Sequence, residues 1–111
     1  MQGWYQMDID LLLGSTSPEF VFEDPVEEES VDRLNLQAYM WRWDQRMRAL
    51  GGNNQWHLSH QQRVDKDGIL TDWEWWQVLG TEAQGAALVL TGDAGVILER
   101  ITYFDRKLYN R

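Results

Sequence analysis

An amphipathic stripe in the middle of the chain limits the fold more than any other feature of the sequence. Its apolar side chains recur at alternating spacings of four and three residues, at Leu36, Met40, Trp43, Met47 and Leu50. This spacing predicts a long α-helix that buries one face. A capping-box pattern from Asp24 to Glu27 favours a start at Pro25, and Gly51 favours an end just after Leu50. The helix is therefore predicted over about residues 25–50.

Alternating apolar and polar residues predict strands on both sides of this helix. The alternation is present over residues 4–13 and again over residues 56–64. Residues 20–22 form a further short apolar run that fits a strand. Residues 65–68, with the sequence Asp-Lys-Asp-Gly, have the composition of a tight turn.

The last third of the chain is harder to interpret. Thr71 to Glu74 matches a capping box and predicts a short helix that Gly80 closes. Residues 86–109 fit a strand or a helix: Ile97 and Ile101 begin a helical spacing, whereas the glycines of residues 91–95 suit a hairpin loop. We expect the helix, with Asp93 as its cap.

These elements predict an α+β fold in a single domain over residues 1–111. A small sheet would pack against the long helix, accompanied by one or two shorter helices. The alternative is a mostly α-helical protein.

Charge is distributed unevenly along the chain. The net charge is −8, and residues 1–32 hold nine acidic residues with no Lys or Arg, whereas residues 33–111 hold nine acidic and all ten basic residues. Direct nucleic-acid binding is disfavoured, since it depends on cationic contacts to phosphate. A basic protein surface, such as that of a nucleic-acid-binding protein, is the partner that this charge favours.

Two absences narrow the compartment and the chemistry. The chain has no cysteine, which excludes disulfides, thiolate metal sites and cysteine nucleophiles and fits a reducing compartment. No apolar run is long enough to span a membrane, and the N-terminal stretch does not resemble a signal peptide. A cytoplasmic location is therefore expected.

Seven tryptophans in 111 residues are unusual, and three of them crowd residues 73–76. On one short helix they cannot all share a face, so at least one is predicted to point outward. Exposed tryptophan is typical of binding hot spots. The predicted partner-binding set combines acidic and aromatic residues: Glu19, Glu23, Glu27, Glu28, Glu29, Asp32, Trp73 and Trp76.

Residues 63–74 resemble an EF-hand calcium loop. Asp65, Asp67, Gly68 and Glu74 fall at its third, fifth, sixth and twelfth positions, but Arg63 stands at the first, where a ligand belongs. Asp65, Asp67 and Glu74 are thus weak metal candidates, and no metal or other cofactor is predicted.

Two other pairs of polar residues do not predict a metal or catalytic site. His57 and His60 would separate to opposite faces of a regular strand, and Asp8 with Asp10 fits a solvated strand face. The sequence contains no catalytic motif, and no enzymatic activity is expected. The leading hypothesis is an acidic interaction module of the inhibitor, immunity-protein or nucleic-acid-mimic type. The alternatives are a calcium- or magnesium-binding module or small metal-dependent enzyme around residues 65–74, and a structural subunit of a larger assembly such as a phage particle.

Overall fold

Six strands and two helices make up the described part of the chain. The computed structural model describes residues 8–52 and 56–105, apart from the side chains of Trp56, His57, Ser59 and His60. Helix α1 is Ile9–Gly14 and helix α2 is Leu36–Ala49, which the 3₁₀ turn Arg33–Asn35 precedes. The strands are β1 (Thr16–Glu23), β2 (Val31–Asp32), β3 (Trp56–Lys66), β4 (Ile69–Val78), β5 (Gln84–Gly92) and β6 (Gly95–Tyr103). Neither helix is long and apolar enough to cross a membrane, as judged over these residues.

All six strands form one mixed sheet in the order β2-β1-β6-β5-β4-β3. Strands β3 to β6 are an antiparallel meander, whereas β1 pairs parallel to β6. The predicted α+β class is confirmed, and the mostly helical alternative is wrong.

Helix α2 is shorter at its N-terminus than predicted. Asp24 does not cap a helix: its side chain accepts the Val26 N–H at 2.9 Å, and its carbonyl accepts the Glu27 N–H at 2.9 Å, so residues 24–27 form a turn. Asp32 instead caps the 3₁₀ turn by accepting the Asn35 N–H at 3.0 Å. The predicted end is confirmed, since Gly51 follows the helix with a φ of 101°.

Strands β3 and β4 form a hairpin around Asp67 and Gly68. Both residues have positive φ, 55° and 77°, as a two-residue type I′ turn requires. The predicted strand and turn are confirmed, but the helix predicted from Thr71 to Gly80 is wrong. Those residues are β4, because cross-strand pairing to β3 and β5 overrides a capping pattern that is only local.

The C-terminal helix predicted within residues 86–109 is also wrong where the structure describes it. Residues 84–103 form the β5–β6 hairpin, and its turn lies in the glycine-containing segment that also suited a loop. The β-propensity of Ile101 to Tyr103 prevails over the helical spacing. Residues 106–109 of that prediction lie outside the described residues.

The strand predicted over residues 4–13 is wrong from Ile9 onward, where α1 begins. Asp8 caps this helix by accepting the Leu11 N–H at 3.1 Å. Residues 4–7 of the prediction lie outside the described part of the chain.

The sheet has two distinct faces. We call the face that packs on α2 the helix face; it carries Phe22, Trp76, Ile101 and Tyr103, which join Leu36, Tyr39, Met40, Trp43 and Met47 of α2 in one buried core. We call the opposite side the open face. Because strand residues alternate, neighbours in sequence on β4 fall on opposite faces.

Candidate functional site

Two carboxylates lie next to the core on the helix face. Asp72 and Glu74 share this face of β4 with Trp76 and Val78, since all four are separated by steps of two residues. Asp72 is 5% exposed and Glu74 is 4% exposed. Buried acidic residues are rare without a specific partner, so their contacts indicate what the pair can do.

Asp72 has fixed partners on the neighbouring strand. Arg63 is its cross-strand partner and donates from Nε to Oδ1 at 2.7 Å, and Gln61 donates from Nε2 to the same oxygen at 3.3 Å. The Arg63 side chain is itself largely exposed. These contacts anchor the Asp72 carboxylate at the solvent-facing edge of the site.

Glu74 is in a different environment. No described residue donates a hydrogen bond to its carboxylate. Its cross-strand neighbours are Gln61 on β3 and Ala87 on β5, and the apolar Ile101 on β6 lies beyond Ala87. Burial, and secondarily the nearby Asp72 charge, raise the pKa of Glu74. A carboxyl group with a raised pKa exchanges its proton closer to neutral pH, as general acid–base catalysis requires.

A second polar cluster lies deeper, between α2 and the sheet. Asp24 is fully buried, and its Oδ2 accepts hydrogen bonds from Tyr39 at 2.6 Å, Tyr103 at 2.8 Å and Arg46 at 2.9 Å. Burial raises the pKa of Tyr39 and of Tyr103, so both hydroxyls remain donors. The cluster links the residue that follows β1 to α2 and β6 through hydrogen bonds.

Trp76 separates the two polar groups. Its ring meets Tyr103 edge-on, with centroids 5.5 Å apart, and Trp43 at 6.4 Å. Its indole Nε1 is buried and has no hydrogen-bond partner among the described residues. Trp76 also follows Glu74 on the same face, so a proton acceptor and an unused donor occupy adjacent positions about 7 Å apart along the strand.

Most of the predicted partner-binding acids have structural roles or lie apart. Glu23 pairs with Arg100 at 3.0 Å, Glu27 pairs with Arg42, and Asp32 is a cap. Glu23, Glu27, Glu28 and Glu29 line a cavity of about 360 Å³ beside β6, whereas Glu19 is an exposed residue of β1. Trp73 is 44% exposed on the open face, but Trp76 is buried in the core and presents no surface to a partner.

The predicted metal candidates do not converge. Asp65 and Asp67 are exposed at the hairpin end, and Glu74 lies on β4 facing the core, so the calcium loop is in fact a hairpin and one of its strands. No group of three or more potential metal-ligating residues occurs in the described part of the chain. Asp8 caps α1 and Asp10 lies within it, so they are not a strand pair. The His57 and His60 side chains lie outside the described set.

The pairing of Asp72 with Arg63 was not predicted from the sequence, although the hairpin turn determines which residues of β3 and β4 lie opposite each other. A two-residue turn at Asp67 and Gly68 sets Lys66 opposite Ile69, and three further steps outward set Arg63 opposite Asp72. The Asp24 cluster had no comparable indication, since Tyr39, Arg46 and Tyr103 meet only in three dimensions.

Solved structures share this architecture at low sequence identity. An NTF2-like protein of unknown function from Cytophaga hutchinsonii matches with a TM-score of 0.62 and 7% identity, covering 98% of this chain and 87% of that one. A putative polyketide cyclase from Sinorhizobium meliloti matches at 0.62 and 10% identity, covering 91% and 87%. ActVI-ORFA from Streptomyces coelicolor matches at 0.62 and 13% identity, covering 94% and 88%. No protein-family model and no curated protein matches the sequence.

The chain therefore has an NTF2-like α+β fold. This finding corrects the leading functional hypothesis, because the similar structures are an NTF2-like protein of unknown function, a putative polyketide cyclase and ActVI-ORFA, not inhibitors or immunity proteins. The acidic interaction module of the inhibitor type is wrong, and so are the alternatives of a metal module and a particle subunit. The expectation that nucleic acid is not a direct partner stays a prediction.

Proposed function

We propose that this chain binds a small neutral carbonyl compound on the helix face of its sheet, with Glu74 taking up and returning a proton. The observation that carries the proposal is the buried Glu74 carboxyl with its raised pKa beside an anchored Asp72. A base of this kind removes a proton from carbon next to a carbonyl group, a reaction in which the pKa of the base sets the efficiency. This proposal departs from the expectation of a non-enzymatic protein.

The charges around the site favour a neutral ligand. Asp72 is offset by Arg63 and Asp24 by Arg46, so each pair is neutral as a unit. Glu74 must be ionised when it accepts a proton, and a neutral ligand adds no further charge beside it. An anionic or cationic ligand would bring an unpaired charge into a buried space, at a cost of several kcal/mol.

Trp76 supports a carbonyl group in particular. Its buried Nε1–H has no acceptor among the described residues, and leaving a buried donor unpaired costs about 1–3 kcal/mol. A carbonyl oxygen placed there would accept this hydrogen bond while the adjacent carbon faces Glu74. Among the similar structures, the putative polyketide cyclase carries a name that refers to substrates built from carbonyl units.

We also keep a cytoplasmic location as a proposal, which rests on the lack of cysteine.

Proton exchange with solvent tests both parts of the proposal. Small enolisable ketones, 2-tetralone among them, are added in D₂O to protein with ¹³C-labelled methyl groups. We expect the methyl signals of Ala87 and Ile101 to shift, while Leu88 and Leu98 on the open face stay constant. We also expect deuterium to enter the ketone faster with protein present.

The Glu74→Gln variant keeps the side-chain shape and removes the base. We expect it to bind the same ketones and to lose about 10²- to 10⁴-fold of the protein-dependent exchange rate. Asp65→Asn, at an exposed acid of the same hairpin, is the matched control and should leave the rate unchanged. Binding without exchange would refute the role of Glu74, and no shift at Ala87 or Ile101 with any ketone would refute the site.

A further inference from the structure

The outer edge of β3 is free within the described part of the chain. β3 (Trp56–Lys66) is the last strand of the sheet, and β4 is its only neighbour among the described residues. A bulge lies between Leu58 and His60, whereas residues 61–66 pair regularly with β4 and are all exposed. An exposed edge strand presents free backbone N–H and C=O groups, with which a further strand can pair.

The hairpin turn determines which backbone groups of β3 point outward. In a two-residue turn the residues on either side of it are hydrogen-bonded to each other, so Lys66 bonds to Ile69. Backbone groups alternate in direction along a strand, so Val64 also bonds to β4. Arg63 and Asp65 therefore direct their N–H and C=O groups away from the sheet. These are the groups that an added strand would bind.

The charges along this edge are complementary to a second copy of the same strand. Arg63 and Asp65 stand on either side of Val64 and carry opposite charges. If a second β3 runs antiparallel with its Val64 opposite Val64, then Arg63 of each copy lies opposite Asp65 of the other. The outward backbone groups of Arg63 and Asp65 then also face each other, as a hydrogen-bonded pair requires. Centring the pairing on Arg63 or on Asp65 would instead place like charges opposite each other.

The side chains of Arg63 and Asp65 have donors and acceptors to spare. Arg63 donates to Asp72 of its own chain from Nε, at 2.7 Å, and its two terminal nitrogens have no acceptor among the described residues. The Arg63 side chain is 58% exposed. Asp65 is exposed and forms no ion pair in the described ranges. An ion pair between Arg63 of one copy and Asp65 of another therefore breaks no existing contact.

We propose that two copies of this chain associate edge to edge through residues 61–66 of β3. A two-fold axis perpendicular to the sheet passes between the two Val64 residues, so both ion pairs form and the two sheets become continuous. The antiparallel overlap is confined to the hairpin ends. Helix α2, which packs at Trp76 near the other end of β4, lies away from this overlap. Such a small polar interface is typical of transient association. Each copy keeps its own candidate site, so this inference goes beyond the proposed function and is independent of it.

Cysteine cross-linking tests the register, because the chain has no cysteine of its own. Opposite residues of a non-hydrogen-bonded antiparallel pair have Cβ atoms about 4.5–5.5 Å apart, close to the separation that a disulfide spans. We expect Val64→Cys to form a disulfide-linked dimer on mild oxidation about tenfold faster than Gln62→Cys. In the proposed register the two Gln62 positions are four residues out of alignment, or about 14 Å apart.

A mixture of two cysteine variants provides the matched control. Gln62 of one copy lies opposite Lys66 of the other, so Gln62→Cys and Lys66→Cys should cross-link with each other, although each alone should remain slow. All three positions are exposed, so the variants are expected to fold. Equal rates for Val64→Cys and Gln62→Cys, or a mixture that cross-links no faster than its components, would overturn the proposal.

Sedimentation velocity tests association of the full chain without cysteine. We expect the sedimentation coefficient of the wild type to rise with concentration. Asp65→Pro removes an N–H that points outward and no bond to β4, so the fold should persist and the rise should disappear. Asp65→Arg, which would face Arg63 of the partner, should raise the dissociation constant about tenfold. Glu19→Arg, the same change of charge at an exposed position of β1, is the matched control and should behave like the wild type. A wild type that stays monomeric at millimolar concentration, or an Asp65→Pro variant that associates like the wild type, would refute the edge pairing.

Discussion

Replacing Asp24 with Asn should destabilise the protein more than replacing any exposed acidic residue. The Asp24 side chain is fully buried and accepts four hydrogen bonds, from Tyr39, Tyr103, Arg46 and the Val26 N–H. Asn removes the negative charge that balances Arg46. Its amide has only one oxygen, so either that oxygen or the NH₂ group faces the three donors Tyr39, Tyr103 and Arg46. The perturbation therefore breaks a buried ion pair and a hydrogen-bond network together.

The expected cost follows from the Arg46 partner. Removing one member of a buried ion pair costs about 3–5 kcal/mol, chiefly because the other charge stays buried without its counter-ion. Arg46→Met should cost a similar amount for the same reason. In the double variant neither charge remains, so its cost should be close to that of one single variant, with a coupling energy of about 3 kcal/mol or more.

Urea unfolding, followed by tryptophan fluorescence at one protein concentration, measures these energies. With an m-value near 2 kcal/mol/M, the Asp24→Asn midpoint should fall by about 2 M. Tyr39→Phe, which removes one hydroxyl, should cost about 1 kcal/mol and serves as a scale for a single hydrogen bond. Costs that simply add, with a coupling below about 0.5 kcal/mol, would refute the idea that the cluster acts as a unit.

Three further substitutions have expected outcomes. Burial raises the pKa of Glu74 in the folded state above its value of about 4.3 in the unfolded chain. Protonated Glu74 therefore stabilises the fold fully below the unfolded pKa, and this stabilisation is lost as pH rises through the folded pKa. The melting temperature of Glu74→Gln should rise relative to that of the wild type as pH increases, and parallel profiles of the two proteins would contradict this. Gly68→Ala, at a φ of 77°, should cost about 1–2 kcal/mol in urea unfolding, and a neutral result would contradict the type I′ turn. Gly85→Ala would drive a Cβ into the Thr102 carbonyl oxygen, so expression of folded protein should fall sharply, and a variant of wild-type stability would contradict this close approach of β5 to β6.

Local patterns predicted those parts of the fold that depend on local geometry. Helix α2 was predictable because its 4-3-4-3 spacing has only one explanation, and the Asp67-Gly68 turn because few residues adopt positive φ there. Strand β4 was mistaken for a helix because Thr71 to Glu74 matches a capping box, whereas its pairing partners lie on β3 and β5. Such nonlocal pairing leaves little trace in a short window of sequence.

The candidate site was less accessible to sequence reasoning than the fold. Glu74 was considered only as the last position of a calcium loop, because its burial depends on the sheet around it. Asp24 was interpreted as a helix cap, and its actual partners Tyr39 and Tyr103 lie 15 and 79 residues away. Residues 1–32 do contain many acidic residues, but these residues share no single role. Asp24 is a buried hydrogen-bond acceptor, Asp32 caps the 3₁₀ turn, and Glu23 forms a surface ion pair.

Titration of the Glu74 carboxyl by ¹³C NMR tests the central claim most directly. Glutamate is labelled at its side-chain carboxyl carbon, and Glu74→Gln identifies the signal. The burial of Glu74 next to Asp72 predicts a midpoint above the ordinary glutamate value of about 4.3, and a further change when a ketone is bound. A midpoint at the ordinary value that is insensitive to every ketone would contradict a buried proton-transfer site at this position.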